Sequence, residues 1–316
     1  MADLPACPVC GGEARLKYRL PSAKVRTALE QYYGKELPAA VVIADTSLWR
    51  CKMCTLEYAH PAVPGSHAFY EWLAAQPTYY SPRRWEWGVV HDMLKEENSA
   101  ISLLDIGCGD GQFLESLQDL PGVRGIGLDT TAASIAKCRE RRVEAHQGTI
   151  NDYLQRAPDR AGRYDVVTAF HCLEHVPDPS RFLSEMLTLL APGGRLLVST
   201  PYSPMSFETM WFDPLNHPPH HLTRWNGRSY NALAERHDLS VTFRMPAALP
   251  WTERVLASVN LSLNGPAHLQ GNREVILRAL RKPLNFFLAV LRQLNRDHVN
   301  SAVAADVVLT EFRRRN

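Results

Sequence analysis

The stretch Leu103-Leu104-Asp105-Ile106-Gly107-Cys108-Gly109-Asp110-Gly111 limits what this chain can fold into more than any other. Apolar residues with an acidic one read as the end of a buried strand, and three glycines follow at every second position. Glycine lacks a Cβ, so the backbone can turn sharply and a ligand can lie against it. Phe113, Leu114 and Leu117 then recur at helical spacing. Strand, glycine turn and helix in this order form a nucleotide-binding element. Asp129 ends the next apolar run, about 20 residues beyond the glycines, where a carboxylate can accept hydrogen bonds from ribose hydroxyls.

The glycine spacing separates two kinds of cofactor. A dinucleotide fingerprint is G-x-G-x-x-G, with backbone amides approaching a pyrophosphate. Here the third glycine, Gly111, comes one residue early, and Asp105 sits poorly beside a pyrophosphate. A cofactor with a cationic amino-acid end fits better. Asp-x-Gly-x-Gly-x-Gly with a later acidic residue resembles motifs I and II of the class I S-adenosylmethionine (SAM)-dependent methyltransferases. Two further strings agree with this resemblance. They are Leu173-Glu174-His175-Val176 and Leu190-Ala191-Pro192-Gly193-Gly194, in the family's order. The implied fold is α/β, a Rossmann-like seven-stranded sheet with helices on both faces. Strands are expected at about 101–106, 123–128, 143–147, 164–170, 194–200, 239–245 and 303–312, with helices at 131–141 and 179–190 between them.

The same resemblance assigns roles. Gly107, Gly109 and Gly111 would admit the methionine and ribose portions of SAM. Asp105 would face the cofactor's ammonium group, and Asp129 would bind the ribose diol. Gly148-Thr149-Ile150 matches an adenine-contacting segment, with Thr149 where an aspartate is common and Ile150 placed to pack on the ring. Phe170 ends the fourth strand beside this crevice. His171 follows it at the mouth of the expected methyl-transfer site. Related quinone O-methyltransferases carry an acid at that position, and some use a divalent metal with residues matching Glu174 and His175. A structural hydrogen-bonded pair is the reading preferred here for Glu174 and His175.

A second polar cluster, Asn216-His217-Pro218-Pro219-His220-His221-Leu222-Thr223-Arg224-Trp225, follows the fifth strand and can reach the same crevice. His220 or His221 is the candidate general base, because a histidine titrates near neutrality. A metal held by three histidines of this loop is a minor alternative, since adjacent His220 and His221 are expected to point in different directions. Methyl transfer needs no covalent enzyme intermediate, so Cys108, Cys138 and Cys172 read as buried thiols.

Residues 1–60 carry two C-x-x-C knuckles, Cys7-Pro8-Val9-Cys10 and Cys51-Lys52-Met53-Cys54. Two such turns make a four-sulfur tetrahedral site, so structural Zn2+ and a zinc-ribbon-like unit are expected. The long gap between the pairs leaves room for a helix over 23–33. Residues 61–100 form an aromatic connector with Tyr70, Trp72, Tyr79, Tyr80, Trp85 and Trp87. Its helix is expected from Pro82 to Glu97, with Ser81 as N-cap. Tyr79 or Tyr80 could cover the cofactor, although packing between units is the plainer reading. Residues 101–316 form the methyltransferase domain, with a helical insertion at about 251–298. That insertion pairs leucines with basic residues around Pro283. It reads as a lid, a homodimer surface or a membrane-surface helix.

Composition narrows the partners. Net charge is +2, without the basic excess that bulk nucleic-acid binding needs. No signal peptide is expected, and Phe286–Leu291 is far too short to span a bilayer. The chain is therefore expected to be cytoplasmic and to act on a small-molecule acceptor, such as a sugar or secondary metabolite. An RNA methyltransferase that grips its substrate with the zinc unit, or a non-catalytic SAM-binding scaffold, are the competing readings.

Overall fold

A computed structural model of the chain describes residues 4–76, 79, 84–205, 208, 212–246, 280, 283, 284, 287, 288, 291 and 306–315. The N-terminal part contains β1 (Ala14–Leu20), α1 (Ser22–Tyr33), β2 (Thr46–Cys51), β3 (Glu57–His60) and α2 (His67–Ala74), then α3 (Trp85–Lys95). Strands and helices then alternate: β4 (Ile101–Ile106), α4 (Gln112–Ser116), β5 (Val123–Asp129), α5 (Ala132–Glu140), β6 (Ala145–Gln147) and α6 (Ile150–Arg156). The series continues with β7 (Tyr164–Phe170), α7 (Pro179–Leu189) and β8 (Leu190–Pro201). It closes with β9 (Thr223–Arg224), α8 (Gly227–Arg236), β10 (Leu239–Arg244) and β11 (Val307–Arg314).

The seven-stranded sheet has the order β10-β11-β8-β7-β4-β5-β6. Its five strands from β4 to β8 run parallel, and β11 is antiparallel to both of its neighbours. This is the Rossmann-like sheet expected from the sequence. The order reverses at β4, which lies between β5 and β7. A switch of this kind opens a crevice at the carboxyl ends of the strands. β4 is apolar on both faces because both are covered. Leu103 packs with Val90, Leu94, Phe113 and Leu114, while Leu104 and Ile106 join Leu183, Met186 and Leu196 on the other side. Helix starts follow local chemistry. Asp178 caps α7 ahead of Pro179, and Asn226 caps α8 in a capping box with Ser229.

Several boundaries differ from expectation. α3 begins at Trp85 with Arg84 at the N-cap, not at Pro82 behind Ser81; residues 81 and 82 lie outside the described residues. β8 begins at Leu190 rather than 194, because the Pro192-Gly193-Gly194 segment bulges within the strand. Its pairing with β7 jumps from Tyr164↔Leu190 to Val166↔Arg195. Of the expected insertion at 251–298, the described residues 280, 283, 284, 287, 288 and 291 are helical and exposed. The lid, dimer and membrane-surface readings otherwise lie outside the described residues, as does Tyr80. Among the described residues, no helix is long and apolar enough to cross a membrane.

A second sheet, of order β1-β2-β3-β9, joins the N-terminal part to the rest. Its fourth strand is Thr223–Arg224, from the histidine-rich loop after β8. The N-terminal unit thus shares a sheet with the loop that carries His217, His220 and His221.

Candidate active site and N-terminal metal centre

The glycine turn lies at the carboxyl end of β4. Gly107, Gly109 and Gly111 all adopt positive φ, at 71°, 56° and 81°. A Cβ at 107 would run into Cys172 Sγ, and one at 111 would lie 2.9 Å from Cys138 Sγ. The turn therefore needs glycine for conformation and for space. Asp129 ends the adjacent β5 and anchors the turn. Its Oδ2 accepts a hydrogen bond from Gly109 N at 3.0 Å, and its Oδ1 accepts one from Thr131 N at 2.8 Å. Asp105 is fully buried, with Thr168 Oγ1 donating to it at 2.6 Å. Burial raises its pKa to about 7, against the lowering effect of Thr168 and with a further rise from Asp129.

Beyond Asp129 an open cleft of about 560 Å³ is lined by Thr130, Gln147, Gly148, Thr149, Asp152 and Arg156. Thr149 caps α6. Its hydroxyl accepts from Asp152 N at 3.2 Å and donates to Asp152 Oδ2 at 2.7 Å. Two candidates from this region face the core instead of open space. Ile150 is 3% exposed within the main hydrophobic cluster, and Phe170 packs edge-on against Phe113 at 4.8 Å.

His171 follows β7 in the left-handed region, at φ 52°, a strained choice for a residue with a Cβ. Its Nε2 donates to Glu86 Oε1 at 3.0 Å, and its Nδ1 lies 3.3 Å from Glu174 Oε1. Burial opposes a charge on this ring, but the bonds to Glu174 and Glu86 outweigh it and raise its pKa. Burial acts on Glu86 too, and the bond to His171 with its charge brings that carboxyl below the usual range. His171 thus stands between two buried acidic side chains, Glu86 and Glu174. Glu86 escaped the sequence reading. Its local signal is an acid between Trp85 and Trp87, on the helix face that also buries Val90 and Leu94.

The loop after β8 brings its histidines to the same place. His220 Nδ1 donates to Leu215 O at 2.8 Å, and its Nε2 lies 3.1 Å from Tyr79 Oη. His221 Nδ1 donates to Asn216 Oδ1 at 3.2 Å, and its Nε2 lies 3.9 Å from Glu174 Oε1. His175 Nδ1 donates to His220 O at 2.6 Å, which leaves its Nε2 4.0 Å from Glu174 Oε1. The expectation that adjacent rings diverge is corrected: His220 and His221 stack at 4.6 Å and 21°. Both residues sit on a turn whose amides donate to His217 O, so their side chains splay far less than on a strand. Burial drives all three rings, His175, His220 and His221, toward the neutral form. The His217 ring turns away from this group, with its Nε2 2.8 Å from Tyr18 Oη.

Residues 79–242, 164 of the 316, match the family described as a methyltransferase domain. A probable S-adenosylmethionine-dependent methyltransferase of Mycolicibacterium smegmatis is 31% identical over 200 residues, covering 54% of this chain and 75% of the relative. The chain belongs to the class I SAM-dependent methyltransferases. The methyltransferase is also 42% identical over 103 residues to a ubiquinone biosynthesis O-methyltransferase of Marinobacter nauticus. That match covers 31% of this chain and spans 42% of the relative's length. The fold is shared with a SAM-dependent methyltransferase from Archaeoglobus fulgidus, at TM-score 0.50 and 16% identity, over 77% of this chain and all of that one.

The methyltransferase brings its four knuckle cysteines together. Cys7 Sγ lies 3.5 Å from Cys54 Sγ, and Cys10 Sγ lies 3.4 Å from Cys51 Sγ. Sulfurs around a tetrahedral zinc, with bonds of about 2.3 Å, stand roughly 3.8 Å apart, so the cage needs little adjustment. Met53 N and Cys54 N donate to Cys51 Sγ at 3.3 and 3.4 Å, the amide–sulfur bonds of a knuckle. The hydrogen bond from Cys54 brings the Cys7 thiol down to about 5 against the effect of burial, so one thiolate is favoured before any ion arrives. The donor set fits zinc, which four thiolates hold as a closed structural site.

Proposed function

We propose that this methyltransferase moves the SAM methyl group to a small-molecule acceptor by direct displacement. The observation that carries this reading is one of position. The glycine turn, Asp129 and the His171 loop all sit at the carboxyl ends of neighbouring strands, at the switch in strand order. In this reading Gly107, Gly109 and Gly111 admit the methionine and ribose portions of SAM. Asp105 faces the ammonium group and Asp129 the ribose diol, while the cleft beside Thr149 takes the adenine. The name of the Marinobacter relative supports a hydroxyl as acceptor. The acceptor is otherwise read as a sugar or secondary metabolite, with an acidic carbon as the other acceptor type.

The sulfonium of SAM is already an activated leaving group. The protein then has to align the acceptor with the methyl carbon and take up a proton. His171, placed between Glu86 and Glu174, would help shape the acceptor's side of the crevice. Of the two candidate bases, His221 suits proton uptake better. Among the described residues its Nε2 makes no hydrogen bond and lies 3.9 Å from Glu174 Oε1, whereas His220 Nε2 is held by Tyr79. Structural zinc on Cys7, Cys10, Cys51 and Cys54 completes the reading, and residues 251–298 stay open between a lid, a homodimer surface and a membrane-surface helix. Calorimetry with SAM tests the foundation. Saturable binding in the micromolar range supports it, and no binding at millimolar SAM removes it.

A further inference from the structure

Asn216 is 2% exposed and ends the short helical turn Pro214–Asn216 in the loop after β8. Its Oδ1 accepts a hydrogen bond from His221 Nδ1 at 3.2 Å. Its backbone oxygen accepts two more, from Arg224 Nε at 3.0 Å and Nη2 at 2.7 Å. A guanidinium offers its N–H groups in a rigid fork, so this grip fixes the carbonyl in direction as well as distance. Arg224 is held in turn. It is 4% exposed, with Nη1 3.1 Å from Glu208 Oε1 and 3.5 Å from Glu57 Oε2. Its Nη2 also donates to Tyr18 Oη at 3.3 Å. Breaking a buried ion pair is strongly destabilising, so Arg224 stays where the two carboxylates hold it. The Asn216 side chain therefore projects from an anchored backbone.

The consequence lies in the imidazole. A neutral ring carries one N–H and one lone pair, and the bond made at one nitrogen decides which of the two stands at the other. The Asn216 oxygen can only accept, so His221 Nδ1 carries the proton and Nε2 the lone pair. Burial, with smaller pushes from His220, His175, His171 and Arg224, keeps this ring neutral. The neighbouring rings are set differently. His220 Nδ1 donates to Leu215 O and His175 Nδ1 to His220 O, both of them backbone carbonyls. Of these three rings, His221 takes its tautomer from a side chain.

We infer that Asn216 is a positioning residue for methyl transfer: its carboxamide oxygen holds His221 in the Nδ1–H form and presents the Nε2 lone pair to the acceptor's proton. This role rests on the reading of His221 as the base. Asn216 touches neither cofactor nor acceptor in it. It acts through the ring, as the third group behind a catalytic base orients that base. After proton uptake at Nε2, the imidazolium still donates from Nδ1 to Asn216 Oδ1.

The test reads the tautomer on the full zinc-loaded chain, labelled at its histidine nitrogens. Nitrogen–proton correlation spectra separate a protonated ring nitrogen from one with a lone pair, and His221→Gln identifies the His221 signals. The expected result is a proton on Nδ1 and a lone pair on Nε2. Asn216→Leu, close in size but without an acceptor, should lose this pattern and show a mixture of both forms, while His220 keeps its own. Asn216→Asp, which retains an acceptor oxygen, should restore it. Circular dichroism checks folding, and Asn216→Ala gives the same readout if the leucine variant does not fold. A proton on Nε2 in the parent, or an unchanged pattern in the folded leucine or alanine variant, overturns the role of Asn216 and leaves His221 as the base. Full methylation by His221→Gln overturns the base itself, and the positioning role with it, whatever the tautomer.

Discussion

Glu86 Oε1, on the connector helix α3, lies 3.0 Å from His171 Nε2 at the end of β7. The contact ties the connector to the carboxyl ends of the sheet's strands. Glu86 is 1% exposed, and its other near polar neighbours are Arg84 Nη1 at 3.9 Å and Ser199 Oγ at 3.5 Å. Glu86→Gln keeps the shape but removes one of the two charges that hold the His171 ring. A charge-assisted hydrogen bond contributes about 1.5–3 kcal/mol, so denaturant unfolding should show a loss of that order. Methylation should fall at least tenfold, with SAM affinity nearly unchanged, because Glu86 reaches the reaction only through His171. A variant with full activity would show that His171 needs no such support.

The order of strands and helices was legible because its signals are local. The glycine turn, the Pro-Gly-Gly segment and the C-x-x-C pairs each announce themselves within a few residues. The partners of His171 were not legible. Glu86 is 85 residues away along the chain, and no periodicity links a helix position to a strand end on the far side of a fold. The two-residue strand β9 was hidden for a related reason. Its pairing with β3 comes from a loop laid across the molecule, not from any β pattern in Thr223-Arg224. The family resemblance places Ile150 against the adenine, and Phe170 ends a strand beside the crevice. Place in the chain did not reveal which way each side chain turns, and the packed core takes both.

The proposed zinc centre on Cys7, Cys10, Cys51 and Cys54 should govern more than its own stability. Ala59 N donates to Leu222 O at 2.8 Å, Tyr18 Oη bonds His217 Nε2 at 2.8 Å, and buried Arg224 reaches Glu57 at 3.5 Å. These contacts fasten the histidine loop to the sheet beside the knuckles. Cys51→Ser should remove the thiolate-bound zinc, measured by elemental analysis, and lower the melting temperature. It should also reduce methylation several-fold although Cys51 lies outside the crevice. Zinc loss with full activity would separate the unit from the loop it contacts.

Asp129 has two tasks in the proposed site, and one substitution addresses both. Asp129→Ala removes the acceptor for Gly109 N and for Thr131 N, and the carboxylate offered to the ribose. Each lost charge-assisted hydrogen bond contributes about 1.5–3 kcal/mol, so SAM affinity should fall at least tenfold. Asp129→Asn keeps one acceptor oxygen and should fall between parent and alanine variant by calorimetry. Unchanged affinity in the alanine variant would remove Asp129 from the cofactor site.

In the proposed site Asp105 should set the pH dependence of cofactor binding. Its pKa, near 3.8 when unfolded, stands at about 7 in the folded chain because burial disfavours the carboxylate. The folded state therefore binds the proton more tightly than the unfolded state. Stability contributed by the protonated form is complete below about pH 4, declines as pH rises from 4 to 7, and is flat above. SAM brings an ammonium group to this carboxyl in the proposed site, which favours the charged form and expels the proton. Affinity for SAM should then rise by up to about tenfold per pH unit below 7 and level off above it. Calorimetry at pH 6 in two buffers of different ionisation enthalpy should register close to one proton released per SAM bound, and markedly less at pH 8. Asp105→Asn should bind SAM weakly, with no slope and no proton release. If the parent protein shows equal affinity at pH 6 and pH 8 with no proton released, the Asp105 carboxyl does not meet the cofactor's ammonium group.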